Sequence, residues 1–326
     1  MRVQRRQIVM GALGVAVSAI GPLVRAATYP ERPITFICPW PAGGTADVTM
    51  RALCAAAAPS LGRTVIVENR TGASGMLGLK ALASAKPDGY TVGQIPISIT
   101  RFSQLGSVQI DPLKDLTYLA RTSGQTFGIA VRADSPHRTL KDFVAAALAA
   151  PGKVTYGSAG IGGATHVGME EFALAAGIQL NHIPYKGGAP ALQDLMGGQI
   201  EALADSSSWA PHVKAGKLRL LATWGDRRTR DFPDVPTLKD AGYDVVVDAP
   251  NGVGAPKGVD AAVENKLREA FKTAAASAEF AAACDKIDAP LMYLDGPDYE
   301  KYVAAVYRKE TQLIERLKLR QLMAKG

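Results

Sequence analysis

Two stretches carry the residue types that hold anions. The first is Trp40-Pro41-Ala42-Gly43-Gly44-Thr45-Ala46-Asp47. The second is Gly157-Ser158-Ala159-Gly160-Ile161-Gly162-Gly163-Ala164-Thr165-His166. Each follows an apolar, β-rich run and precedes a helix-like pattern, so each reads as a strand-to-helix turn. Glycines let the backbone take positive φ and come close to another molecule. Exposed N–H groups at the start of the helix, with the positive end of its dipole, then form an anion site that needs no side-chain cation. Thr45 or Asp47 is expected to cap the first helix. Two such turns about a hundred residues apart suggest two similar lobes facing one ligand.

Other chemistries lack their residues. Gly43-Gly44 is not followed by the Gly-Lys-Ser/Thr of a phosphate-binding loop. Ser158 lacks the glycine two places before it that a nucleophile elbow requires. Thr165 stands where a dinucleotide turn needs its third glycine. His137, His166, His182 and His212 are scattered, and Cys38, Cys54 and Cys284 have no zinc spacing, so neither a metal nor a cofactor is expected. His166 is the one histidine placed in the cleft. Asp205, at the end of an apolar run, is the best-placed carboxylate and is expected to accept from a ligand hydroxyl, an amine or an ordering water.

The elements that position these residues follow from periodicity. Ile34–Cys38, Val65–Val67 and Tyr90–Ile95 read as strands with helices between them, a β-α-β-α-β order that implies a parallel sheet. The first helix is expected to bury Val48, Ala52, Ala55 and Ala56. Further strands are expected at 127–131, 154–156, 200–204 and 218–222, with helices at 139–150 and 189–196. A helix with Val167, Phe172 and Leu174 is expected after the second turn. Residues 252–258, rich in Gly and Pro, read as a return crossing. Helices close the chain, one with Val263, Leu267, Phe271 and Ala274 on its face.

The chain has 326 residues, is 47% hydrophobic and 21% charged, and has a net charge of +7. Arg2, Arg5 and Arg6, an apolar run over 8–24 and Val24-Arg25-Ala26 form a signal peptide over 1–26, of Sec or twin-arginine type. That segment holds four of the 37 basic residues and no acidic one, so the remainder carries only +3. This is not the charge of a nucleic-acid binder. The three cysteines read as buried small hydrophobes, with at least one free thiol.

Several motifs occur together in order. They are Tyr29-Pro30-Glu31-Arg32-Pro33-Ile34, Pro41-Ala42-Gly43-Gly44-Thr45-Ala46-Asp47, Val67-Glu68-Asn69-Arg70, Lys86-Pro87-Asp88-Gly89-Tyr90-Thr91, His182-Ile183-Pro184-Tyr185-Lys186-Gly187 and Asp234-Val235-Pro236-Thr237. The set resembles the Bug family, the solute-binding proteins of tripartite tricarboxylate transporters, over essentially the whole chain after the signal peptide. The resemblance implies an α/β fold of the type II periplasmic binding protein class, with two lobes and a ligand cleft between them. Lobe I would span 27–126 with 248–326 returning to it, and lobe II 127–247.

The resemblance also implies a periplasmic monomer. It would bind a small di- or tricarboxylate or an aromatic carboxylate, catalyse nothing, and hand its ligand to the membrane subunits of the transporter. A carboxylate sensor feeding a membrane signalling partner would use the same site. The ligand set it implies is Trp40, Ala42, Gly43, Gly44 and Asp47 in lobe I, and Ser158, Ala159, Gly160, Thr165, His166, Tyr185 and Asp205 in lobe II. Trp40, Pro250 and Ser206-Ser207-Ser208-Trp209 depart from the usual family pattern. The expectation drawn from them is an aromatic ligand stacked on Trp40 or Trp209.

Overall fold

The computed structural model describes residues 29–247 and 249–323. The expected signal peptide lies outside the described residues. The strands are β1 (Ile34–Cys38), β2 (Val65–Asn69), β3 (Thr91–Ile95), β4 (Leu116–Gln125), β5 (Gly128–Arg132), β6 (Thr155–Ser158), β7 (Asn181–Pro184), β8 (Ala202–Asp205), β9 (Leu218–Thr223), β10 (Ala249–Pro256) and β11 (Leu291–Asp295). They form two sheets. One runs β2-β1-β3-β10-β4-β11 and the other β7-β6-β8-β5-β9.

The two sheets repeat one plan. In the first, β1 pairs in parallel with β2 and β3, while β10 lies antiparallel between β3 and β4. In the second, β6 pairs in parallel with β7 and β8, while β5 lies antiparallel between β8 and β9. Each sheet thus takes its antiparallel member from the chain that crosses between lobes. The two-lobed α/β architecture implied by the resemblance is present.

The first lobe's core lies between its sheet and two long helices, Thr45–Leu61 and Ala261–Ala275. Phe36 on β1 meets Phe271 edge-on at 6.4 Å. Leu267, Phe271 and Ala274 are buried as the periodicity requires. The first helix turns a different face inward from the one expected. Met50, Leu53, Cys54, Ala57 and Leu61 are buried, whereas Val48 is 37% exposed. An alanine-rich helix has a weak apolar asymmetry, so its few bulky residues choose the buried side. On the helix Ala164–Ala176, Val167 and Phe172 are buried and Leu174 is exposed.

The second lobe centres on Phe127, Phe143, Tyr156, Phe172 and Trp224. All three cysteines are free and buried. Burial pushes the thiols of Cys38 and Cys284 up to about 12, so they pack as apolar groups. Among the described residues no helix is long and apolar enough to cross a membrane.

Candidate functional site

The two glycine turns are the same motif built twice. Each leaves the strand that lies between two parallel partners in its sheet, β1 or β6, and opens a long helix, Thr45–Leu61 or Ala164–Ala176. Gly43 and Gly162 take positive φ of 80° and 71°, which side chains rarely adopt. Gly44 and Gly163 follow as extended N-cap residues, and neither helix has a side-chain cap. The Gly44 N–H donates to the Pro41 carbonyl at 3.3 Å, and the Gly163 N–H to the Gly160 carbonyl at 3.2 Å.

The third residue of each helix then holds the turn. The Gly43 N–H donates to Asp47 Oδ2 at 2.9 Å. The Gly162 N–H donates to His166 Nδ1 at the same distance. With its side chain turned back, each helix keeps its first-turn amides free of an intrahelical partner.

The residues at both helix starts line one cavity of about 60 Å³. Gly44, Thr45 and Ala46 line it from the first lobe, and Gly163, Ala164 and Thr165 from the second. These are the N-cap and first two residues of both helices. β3 adds Gln94, the chain after it Pro96, Ile97 and Ser98, and the end of β8 with the next residue adds Asp205 and Ser206. The crossing segments contribute Gln125, Phe127, Ala249 and Pro250. The volume admits a few water-sized groups.

Of the residues expected at the ligand, Trp40, Gly44, Ala159, Thr165 and Asp205 line this cavity. The others lie behind or beside its wall. Ala42 is exposed. Gly43, Asp47 and His166 shape the turns, and Asp47 further accepts from Arg51 at 3.0 Å and Asn69 at 2.7 Å. Gly160 donates to Ser158 Oγ at 3.2 Å. Ser158 Oγ also meets His182 Nε2 at 2.6 Å, and His182 stacks on His166 with centroids 3.9 Å apart. Tyr185 donates to Asp194 Oδ2 at 2.6 Å.

Trp209 is fully buried in the second lobe's core, edge-on to Phe232 at 5.4 Å, and donates to the Asp205 carbonyl at 3.2 Å. It is no ring platform for a ligand; Trp40 alone of the two lines the cavity. Thr45, Ala46, Gly163 and Ala164 were missing from the expected set. The repeated pattern Gly-Gly-small-small at 43–46 and 162–165 is the sequence signal that marks them.

Burial sets the site's electrostatics. Desolvation raises Asp205 to about 6, against donation from Ser208 and from the Ser206 backbone. Desolvation would also raise Asp47, but donation from Arg51, Asn69 and the Gly43 amide holds it below the usual carboxylate range. Burial lowers His166 to about 3 and His182 to about 4, so both imidazoles are neutral. Three buried polar atoms of the cavity's lining residues have no partner: Trp40 Nε1, Thr45 Oγ1 and Gln94 Oε1.

A family model described as tripartite tricarboxylate transporter family receptor matches residues 49–319. The chain is similar to the UPF0065 protein in the gbd 5'region of Cupriavidus necator, 42% identical over 94% of each chain. It is similar to the protein BugT of Bordetella pertussis, 34% identical over 86% of this chain and 89% of that one. A solved structure described as a periplasmic transporter is 32% identical with a TM-score of 0.85, covering 89% of this chain and 99% of its own. An R. palustris protein solved with adipate is 25% identical with a TM-score of 0.84, covering 89% of this chain and 98% of its own.

Proposed function

The chain belongs to the family of tripartite tricarboxylate transporter receptors, and on that footing we propose that it captures a small carboxylate in the periplasm and hands it to the transporter's membrane subunits. It acts as a monomeric binding protein without catalysis, exported by the signal peptide over 1–26. One lobe is 27–126 with 248–326 and the other 127–247, a division supported by the way the strands fall into two sheets.

The observation that carries the reading is the cavity between two uncapped helix starts. A carboxylate there takes charge-assisted hydrogen bonds from both lobes at once. It binds the closed form better than the open one and shifts the hinge equilibrium towards closure. The adipate in the R. palustris neighbour supports the same ligand class. Ala42, Gly43, Asp47, Ser158, Gly160, His166 and Tyr185 then shape and support the site, while Trp40, Gly44, Ala159, Thr165 and Asp205 face the ligand.

A thermal-shift screen of the chain from residue 27 against aliphatic di- and tricarboxylates and benzoates tests this. A carboxylate at 100 times its Kd adds about 2.7 kcal/mol of stability. An upward shift with one chemical class is expected. A protein already free of bound ligand that shifts with none of them contradicts the reading.

A further inference from the structure

The helix Gly296–Arg316 belongs to the first lobe for most of its length. Its Tyr299 is fully buried and meets Tyr118 of β4 edge-on at 5.0 Å. Its Thr311 donates to Gln104 Oε1 of the same lobe at 2.7 Å. The last turn leaves that lobe. Arg316 pairs with Glu171, and Ile314 is buried in one apolar cluster with Val167. Both partners lie on the second lobe's helix Ala164–Ala176.

The chain then reverses. Lys318 takes the left-handed region at φ 50°, which a lysine adopts only at a cost, and the short helix Leu319–Met323 follows. The turn buries Leu319 completely in the cluster of Ile314 and Val167. Arg320 ties the segment back to the first lobe, donating to the carbonyls of Gln104 at 2.8 Å and Leu105 at 3.3 Å. Met323 reaches the second glycine turn, where a Cβ on Gly162 would lie 3.1 Å from its Cε.

This bridge is narrow. Val167, Gly168, Tyr302, Val306 and Leu313 line a hollow of about 500 Å³ between the helices Gly296–Arg316 and Ala164–Ala176. Two helices packed along their length would leave no such space. Parting of the lobes would pull Val167 away from Ile314 and Leu319 and expose all three to water.

We propose that residues 313–323 are a strap, a built-in clasp that holds the second lobe to the first beside the cleft and sets how readily the lobes part. None of these residues lines the ligand cavity. The strap therefore acts on the balance between open and closed forms and not on the choice of ligand. A ligand that needs both lobes binds with an apparent affinity scaled by the fraction of molecules whose lobes are together. Loosening the strap weakens every such ligand by the same factor. The proposal goes beyond the carboxylate reading, and its test uses no ligand.

Spin labels at Ile66→Cys and Leu148→Cys, one exposed site on each lobe, report the distance between lobes by pulsed electron resonance. The three native thiols are buried. The chain from residue 27 is refolded from denaturant, so that no ligand is carried over. Against this parent, Arg316→Glu is expected to raise the ratio of longer to shorter distances about 2- to 5-fold. Leu319→Ser, which puts a hydroxyl into the apolar cluster, is expected to raise it about 10-fold or more. Thr311→Val removes a bond within the first lobe and is expected to leave the ratio unchanged. Should L319S not fold, R316E carries the test alone, since that side chain is 60% exposed. A ratio that stays at the parent value in R316E, or that moves as far in T311V, overturns the proposal.

Discussion

Ser74 Oγ donates to the Ile161 carbonyl across 2.8 Å, joining the first lobe to the second lobe's glycine turn. Ser74 sits in the left-handed region at φ 53°, and a Cβ at Gly160 would come within 2.5 Å of its hydroxyl oxygen. Ser74→Ala removes a bond that bridges the two lobes and that parting of the lobes would break. Its loss is expected to weaken carboxylate binding about 2- to 10-fold, as one net hydrogen bond of about 0.5–1.5 kcal/mol implies. Melting of the unliganded protein should change less than the affinity. Calorimetry alongside a thermal melt separates the two.

Arg101 reaches the next carbonyl of the same turn, donating to Gly162 at 2.8 Å. It also forms a two-pronged pair with Glu310 at 2.7 and 2.8 Å, and both residues are buried. Glu310→Leu leaves a buried guanidinium without its counter-charge, and should cost about 3–5 kcal/mol in denaturant unfolding. The double variant Arg101→Leu, Glu310→Leu should cost less than the sum of the two single changes. Simple additivity would contradict the coupling.

Asp47 and His166 do the same work in the two turns with different chemistry, which predicts an acid asymmetry. His166 Nδ1 accepts from Gly162 only while the ring is neutral. Burial lowers its pKa to about 3 from the ordinary 6.5, with the neighbouring His182 and Arg101 acting in the same direction. The unfolded chain therefore takes up this proton first. The His166 contribution to stability is complete above about pH 6.5 and is lost as the pH falls from there towards 3. Asp47 is held below its ordinary range and keeps accepting to lower pH. Amide hydrogen exchange at pH 4–5 should therefore rise over 158–166 before 40–47, and His166→Asn should reduce the acid loss.

Asp205 carries the opposite sign. Burial raises its pKa from 3.8 to about 6, so the folded protein holds this proton more tightly than the unfolded chain. Its effect on stability worsens as the pH rises from about 4 to 6 and is constant above that. Asp205→Asn should therefore melt higher than the parent at pH 8, by about 3 kcal/mol at the pKa-to-energy conversion of 1.36 kcal/mol per unit. The gain should vanish near pH 4. An equal effect at both pH values would contradict the burial account.

The glycine turns were legible because the backbone conformation they need is written in residue type, at Gly43 and Gly162 above all. The parallel strands were legible from their apolar runs. Of β10, the return crossing over 252–258 was legible, but not that Ala249–Pro256 pairs as a strand, because its Gly and Pro content hides any strand pattern. Its glycines are there for space: a Cβ at Gly252 would lie 1.9 Å from the Tyr299 hydroxyl, and one at Gly254 2.2 Å from Ile95. β4 and β11 went unread for a related reason, because pairing across distant parts of the chain, not local pattern, makes them strands. The Gln94–Asn251 contact joins residues 157 apart, and nothing local to either marks it. Asp47 and His166 were expected at the ligand, but in the structure they shape the turns and do not line the cavity. Their direction, back into the turn, depends on the first-turn geometry that only the folded helix shows.

The central claim is that a carboxylate sits between the two helix starts. Hydrogen exchange of the chain from residue 27, with and without a saturating concentration of the carboxylate that most raises its melting temperature, tests it most directly. Protection concentrated in peptides covering 40–47 and 158–166 is the expected result, because first-turn amides of both helices would then be bonded. Protection confined to one lobe, or spread evenly without rising at these two turns, would contradict a ligand clamped by both.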